Sequence, residues 1–148
     1  MAFQRPQFKA QYENYIGGKW TPPADGRYFE NVSPIDGELI ARVPQSNARD
    51  IDAAVQTGWA AFPAWSRTSA AARSATLNKI ADTIEANIER LALVETCDNG
   101  KSIRETLGAD LPLTIDQFRY FAAAIRTESG SVSDIDANLV SMEIHEPL

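Results

Sequence analysis

Apolar positions change their spacing along this chain, and each change marks a change of element. Through residue 43 they fall in short extended runs broken by turn formers. Tyr15-Ile16 and Lys19-Trp20 flank Gly17-Gly18, which predicts a hairpin whose two-residue loop takes positive φ. Residues 21–26 read as a loop and 27–32 as extended; Ser33-Pro34-Ile35-Asp36-Gly37 makes a turn. A further strand covers 38–43 and stops at Pro44.

Beyond Pro44 the spacing becomes helical. Ser46 or Asn47 is the expected N-cap. Ile51, Val55, Trp59 and Phe62 recur on one face, with Pro63 ending the run. A second helix opens near Thr68-Ser69 and presents Leu77, Ile80, Ala81, Ile84 and Ile88. Asn87 is a break, and a third helix runs through Leu91 and Val94 to Cys97. Ser102 and Glu105 fit a capping box for a short helix to about Gly108. A fresh helix starts at Asp110 with Pro112 in its first turn, carries Ile115, Phe118, Phe121, Ala122 and Ile125, and closes at Gly130. Residues 134–138 read as a polar link.

Residues 139–146 alternate, with Val140, Met142 and Ile144 apolar against Ser141, Glu143 and His145. A strand needs a neighbour for its backbone groups. None follows, so the expectation is an unpaired strand at the opening of a longer protein.

Composition narrows the function class. A net charge of −6 and a pI near 4.8 argue against a phosphate-binding surface, which rests on clustered Lys and Arg. From Ala75 onward 13 acidic residues face 6 basic ones, against 7 and 8 before it, which reads as solvated helix faces. A single cysteine excludes an internal disulfide and fits a reducing cytoplasm. Residues 1–6 lack the apolar stretch of a secretory signal, and no run approaches the ~20 apolar residues that span a bilayer.

Seven local motifs, in order, resemble the N-terminal region of NAD(P)-dependent aldehyde dehydrogenases. They are Asn14-Tyr15-Ile16-Gly17-Gly18-Lys19-Trp20, Ser33-Pro34-Ile35-Asp36-Gly37, Asp50-Ile51-Asp52-Ala53-Ala54-Val55 and Ile80-Ala81-Asp82. Glu95-Thr96-Cys97-Asp98-Asn99-Gly100-Lys101, Phe118-Arg119-Tyr120-Phe121-Ala122 and His145-Glu146-Pro147-Leu148 complete the series. Residues 9–12, 98–101 and 144–148 are especially similar to bacterial acetaldehyde dehydrogenases. The resemblance implies the α/β aldehyde dehydrogenase fold, of which this segment is α+β: short strands and hairpins, amphipathic helices, then the unpaired strand. Residues 1–126 then belong to the coenzyme-binding region without its Rossmann core, and 127–148 begin the oligomerisation β segment.

By that resemblance the intact reaction turns aldehyde, NAD(P)+ and water into carboxylate and NAD(P)H. It uses a cysteine nucleophile, a glutamate base and amide donors for the oxyanion. The family's catalytic residues and coenzyme motif lie later than this segment. No Gly-x-x-x-x-Gly or Gly-x-Gly-x-x-Gly occurs between a strand and a helix here, so no phosphate cradle is encoded. The expectation is no catalytic and no coenzyme-binding residue in this chain, and no activity by itself. Its partners are then the rest of an aldehyde dehydrogenase chain or a full-length homologue, within a homo-oligomer. The alternative is a non-catalytic interaction or regulatory module pairing its free strand with such a homologue.

Cys97 sits beside Glu95 and Asp98, which disfavour a thiolate, so it reads as a structural residue. His145, the sole histidine, excludes a two-histidine metal site and reads as solvated. Asp50/Asp52 on a helix and Asp134/Asp136 in a turn read as structural. Trp20, Trp59 and Trp65 with Phe62 read as core packing. Asp98 ends a helix before Gly100, a turn-forming arrangement. By the family resemblance it also implies a Na+ or K+ site with the backbone carbonyls of Asn31 and Val32, because hard cations take oxygen ligands. Helices that evolved to cover another domain are expected to expose apolar faces here.

Overall fold

The computed structural model describes residues 5–144. A first hairpin pairs β1 (Asn14–Ile16) with β2 (Lys19–Thr21) around Gly17 and Gly18, at φ +61° and +77°. A second pairs β3 (Tyr28–Val32) with β4 (Leu39–Pro44). The N-terminal strap lies along β4, since Tyr12 N–H donates to Arg42 O and Arg42 N–H to Ala10 O. Arg5 anchors that strap by pairing with Asp36 at 3.1 Å and Glu38 at 2.5 Å.

Helix α1 (Ala48–Trp65) starts at Asn47, whose side chain accepts from Arg49 N–H, while Asp50 returns the bond to Asn47 N–H. This is the reciprocal capping box, and it stands here rather than at Ser102. Ser102 accepts from Arg104 N–H at 3.3 Å, without a matching bond from the Glu105 side chain. Pro63 does not end α1. In the last turn its missing N–H removes a single bond, and the Ser66 N–H closes on Phe62 O at 2.8 Å.

Helix α2 (Ala70–Glu85) is capped by Ser69, and α3 (Ile88–Asn99) follows, so Ile88 opens α3 instead of extending the α2 face. The predicted break before α5 is absent. Helix α4 (Ile103–Glu105) runs through a π turn, Thr106–Asp110, into α5 (Leu111–Ala124). Pro112 lacks the N–H that an α-helix needs four residues after Gly108, and the widened turn ahead of it makes room for the ring. α5 ends before Gly130, because the Arg126 N–H donates to Ala123 O and Thr127 Oγ1 to Ala124 O.

Small residues bring α2 and α5 together: Ala81 and Ala122 are both fully buried. Arg119 of α5 spans the outside of this contact, pairing with Asp82 at 3.2 Å and Glu85 at 2.6 Å on α2. Ile40, Ala41, Ala92, Cys97, Leu111 and Ile115 complete a small core where β4, α3 and α5 meet.

The final strand is not unpaired. Strand β5 (Val132–Asp136) runs antiparallel to β6 (Leu139–Met142), with a register shift between Asp134 and Asp136. Ser133, Asp134 and Asp136 hid this strand in the sequence, since they interrupt the apolar alternation and the whole strand is exposed. Asp134 and Asp136 therefore lie on a strand rather than in a turn, and Asp136 Oδ1 closes the hairpin by accepting the Asn138 N–H at 2.8 Å. His145 lies outside the described residues.

Apolar surface is abundant. Val132 and Met142 are each 71% exposed, and Ile51, Val55 and Trp59 of α1 also face solvent. Trp20 and Trp65 share this exposure, so the tryptophans do not form a core in this chain. Two of them make aromatic pairs: Trp20 tilts against Tyr15 at 5.0 Å and Trp59 meets Phe62 edge-on at 5.8 Å.

Candidate functional site

Of the residues singled out for a cation, Asn31 and Asp98 meet at one corner, and Val32 is exposed. Across the β3–β4 hairpin the register steps from Asn31↔Ala41 to Val32↔Leu39, so Ile40 has no residue opposite it and turns inward. Beside the bulge, Asn31 and Ser33 reach the end of α3. Asn31 Nδ2 donates to Asp98 Oδ1 at 2.6 Å. Ser33, buried next in the chain, donates its hydroxyl to Cys97 O at 2.7 Å. Gly100 then leaves α3 at φ +77°, tight against Pro34: a Cβ there would lie 3.0 Å from Pro34 Cγ.

Asp98 has no Lys or Arg partner among the described residues, and Asn31 occupies one of its oxygens. Among the described residues no three His, Cys, Asp or Glu side chains cluster to hold a metal.

Cys97 is a buried free thiol on the inner face of α3. Burial pushes its pKa up and Asp36 adds to the shift, while Arg5 opposes it. A thiol held neutral in this way is a poor nucleophile. Asp50 is also buried, with its carboxylate spent on backbone: Oδ1 accepts from Ala24 N–H at 2.8 Å and Oδ2 from Asn47 N–H at 2.9 Å. Asp52, two residues on, is exposed.

A feature missed by sequence reasoning lies beside this corner. A groove of about 630 Å³ runs between the strap, β4, α3 and α5, with Tyr12, Val43, Leu91, Val94 and Leu111 as apolar walls. Glu95 and Asp98 give it acidic positions, and no Lys or Arg lines it. Spacing on α3 foreshadowed one wall, because Leu91, Glu95 and Asp98 share a helical face. The opposing walls required the tertiary fold.

With this geometry established, comparison with known proteins decides the family. The aldehyde dehydrogenase family model matches residues 20–148. The chain belongs to the aldehyde dehydrogenase family.

Among curated relatives of this aldehyde dehydrogenase chain, acetaldehyde dehydrogenase 2 of Cupriavidus necator is 55% identical over 141 residues, covering 95% of this chain and 28% of the relative. A long-chain-aldehyde dehydrogenase of an Acinetobacter species is 52% identical over the same length, again covering 95% and 28%. The solved P. syringae indole-3-acetaldehyde dehydrogenase, in complex with NAD+ and IAA, superposes with a TM-score of 0.84 at 33% identity, covering 93% of this chain and 28% of that one. The chain thus spans a little over a quarter of the length of the relatives it matches. The comparisons support the α+β segment of the aldehyde dehydrogenase fold. Among the described residues no helix is long and apolar enough to cross a membrane.

Proposed function

We propose that this chain is the N-terminal scaffold of an NAD(P)+-dependent aldehyde dehydrogenase and oxidises no aldehyde alone. The observation that carries this reading is the state of its only thiol: Cys97 is buried, raised in pKa and tied by its carbonyl to Ser33. Among the described residues no glycine-rich turn joins a strand to a helix, so these residues do not fit a dinucleotide. Residues 1–126 pack against the coenzyme-binding core of the intact enzyme, and 127–148 begin its oligomerisation segment. A free thiol in a chain of this family supports a cytoplasmic setting. The aldehyde is left open, since close relatives carry the names of acetaldehyde and long-chain-aldehyde enzymes.

A chimera tests this reading. Replacing the matched region of the C. necator relative by this chain is expected to give a folded enzyme with aldehyde-dependent NAD+ reduction, whereas the isolated chain shows no saturable coenzyme binding by fluorescence titration. An unfolded or inactive chimera would contradict it.

The second reading, an interaction module that pairs with a full-length homologue, rests on the β5–β6 hairpin. It is a two-stranded sheet with exposed edges and exposed Val132, Ile135, Val140 and Met142. Co-purification with a full-length homologue, lost on Met142→Pro, would favour it. A chain that runs alone on sizing in the presence of that homologue would exclude it.

The corner of Asn31, Val32 and Asp98 is proposed to hold Na+ or K+ through the Asp98 carboxylate and the Asn31 and Val32 carbonyls. Its role there is structural: an ion at this point ties β3 to the end of α3.

A further inference from the structure

The groove between the strap, β4, α3 and α5 has a charge pattern that specifies its occupant. Phe8, Tyr12, Val43, Leu91, Val94 and Leu111 line it with apolar side chains. Glu95 stands among them, half-buried on α3. Among the described residues its side chain has one weak bond, accepted from Asn99 Nδ2 at 3.3 Å. The nearby cation pairs elsewhere: Lys101 Nζ lies 2.5 Å from Asp110 Oδ2 and acts on Glu95 only through space, without a direct ion pair. An occupant that was apolar throughout would strip water from Glu95 and leave a buried charge unpaired, which costs more than the apolar contact returns.

We infer that this groove takes a polypeptide segment with apolar side chains around one Lys or Arg, and that the basic group pairs with Glu95. The segment belongs to the part of an aldehyde dehydrogenase that lies outside the region matched by this chain, so the inference rests on the scaffold reading above. Asp98, the other acid of the groove, is bonded to Asn31 at 2.6 Å and is assigned to the proposed ion, which leaves Glu95 for the basic group.

The test compares Glu95→Leu and Glu95→Gln in the C. necator chimera and in the isolated chain, by thermal unfolding at low and high NaCl. In the chimera both substitutions strand the partner cation, so both are expected to lower the melting temperature by at least about 2 °C. Glu95→Gln is also expected to reduce its dependence on NaCl. In the isolated chain the groove is open, and neither substitution lowers the melting temperature. A chimera in which Glu95→Leu is neutral or stabilising would overturn the inference while leaving the scaffold reading standing. A chimera that fails to fold would overturn both.

Discussion

Ser33 donates its hydroxyl to the backbone carbonyl of Cys97 across 2.7 Å, and both residues are buried. The bond joins the end of β3 to the last turn of α3, where helix carbonyls have no partners of their own. It thereby fixes the corner where Asn31 and Asp98 meet. Ser33→Ala leaves a buried carbonyl with a lost donor and is expected to cost about 1–3 kcal/mol. Urea unfolding of the two proteins, at unchanged m-value, checks this.

Gly100 holds the same corner from the other side. At φ +77° and with Pro34 Cγ 3.0 Å from where a Cβ would sit, Gly100→Ala meets backbone strain and a clash together. The expected loss exceeds about 1 kcal/mol. Gly37→Ala is the informative control. It has a similar φ of +73° but open space around it, so it isolates the backbone part of the effect.

The buried thiol sets a pH dependence. Folding raises the Cys97 pKa above its ordinary value of 9.0. A group raised in the folded state gives stability that is complete below its unfolded value and lost as pH climbs through the folded one. Stability is therefore expected to fall above about pH 9 by more in the wild-type chain than in Cys97→Ala. In parallel, iodoacetamide should label Cys97 slowly in the folded chain and quickly in denaturant.

The proposed ion at Asp98 predicts specific stabilisation. Na+ or K+ should raise the melting temperature above that in choline chloride of equal ionic strength, and Asp98→Ala should abolish the difference. Equal melting temperatures in all three salts would remove the ion from the account.

Much of this was legible in the sequence, for identifiable reasons. Ser69 and Gly100 announced helix ends, since caps follow local chemistry. The family resemblance implied a cation shared by Asp98 and the Asn31 and Val32 carbonyls; the contact seen is a different one, from the Asn31 side-chain amide to Asp98. Pro63 and Pro112 misled, because the cost of a missing N–H depends on where in the helix it falls, and a π turn absorbs it. Strand β5 was concealed by its aspartates, which break the apolar alternation of a strand exposed throughout. The tryptophans read as core, yet they lie exposed on the surface of this chain. The groove around Glu95 joins four segments distant in sequence, and no local pattern could assemble it.

The central claim is that the described residues build support for chemistry carried out elsewhere in the enzyme. The most direct measurement follows NADH absorbance with the purified chain, acetaldehyde or a long-chain aldehyde, and NAD+ or NADP+. The account predicts no aldehyde-dependent signal above the protein-free rate. A turnover that scales with chain concentration, and persists in Cys97→Ala or vanishes with it, would contradict the account.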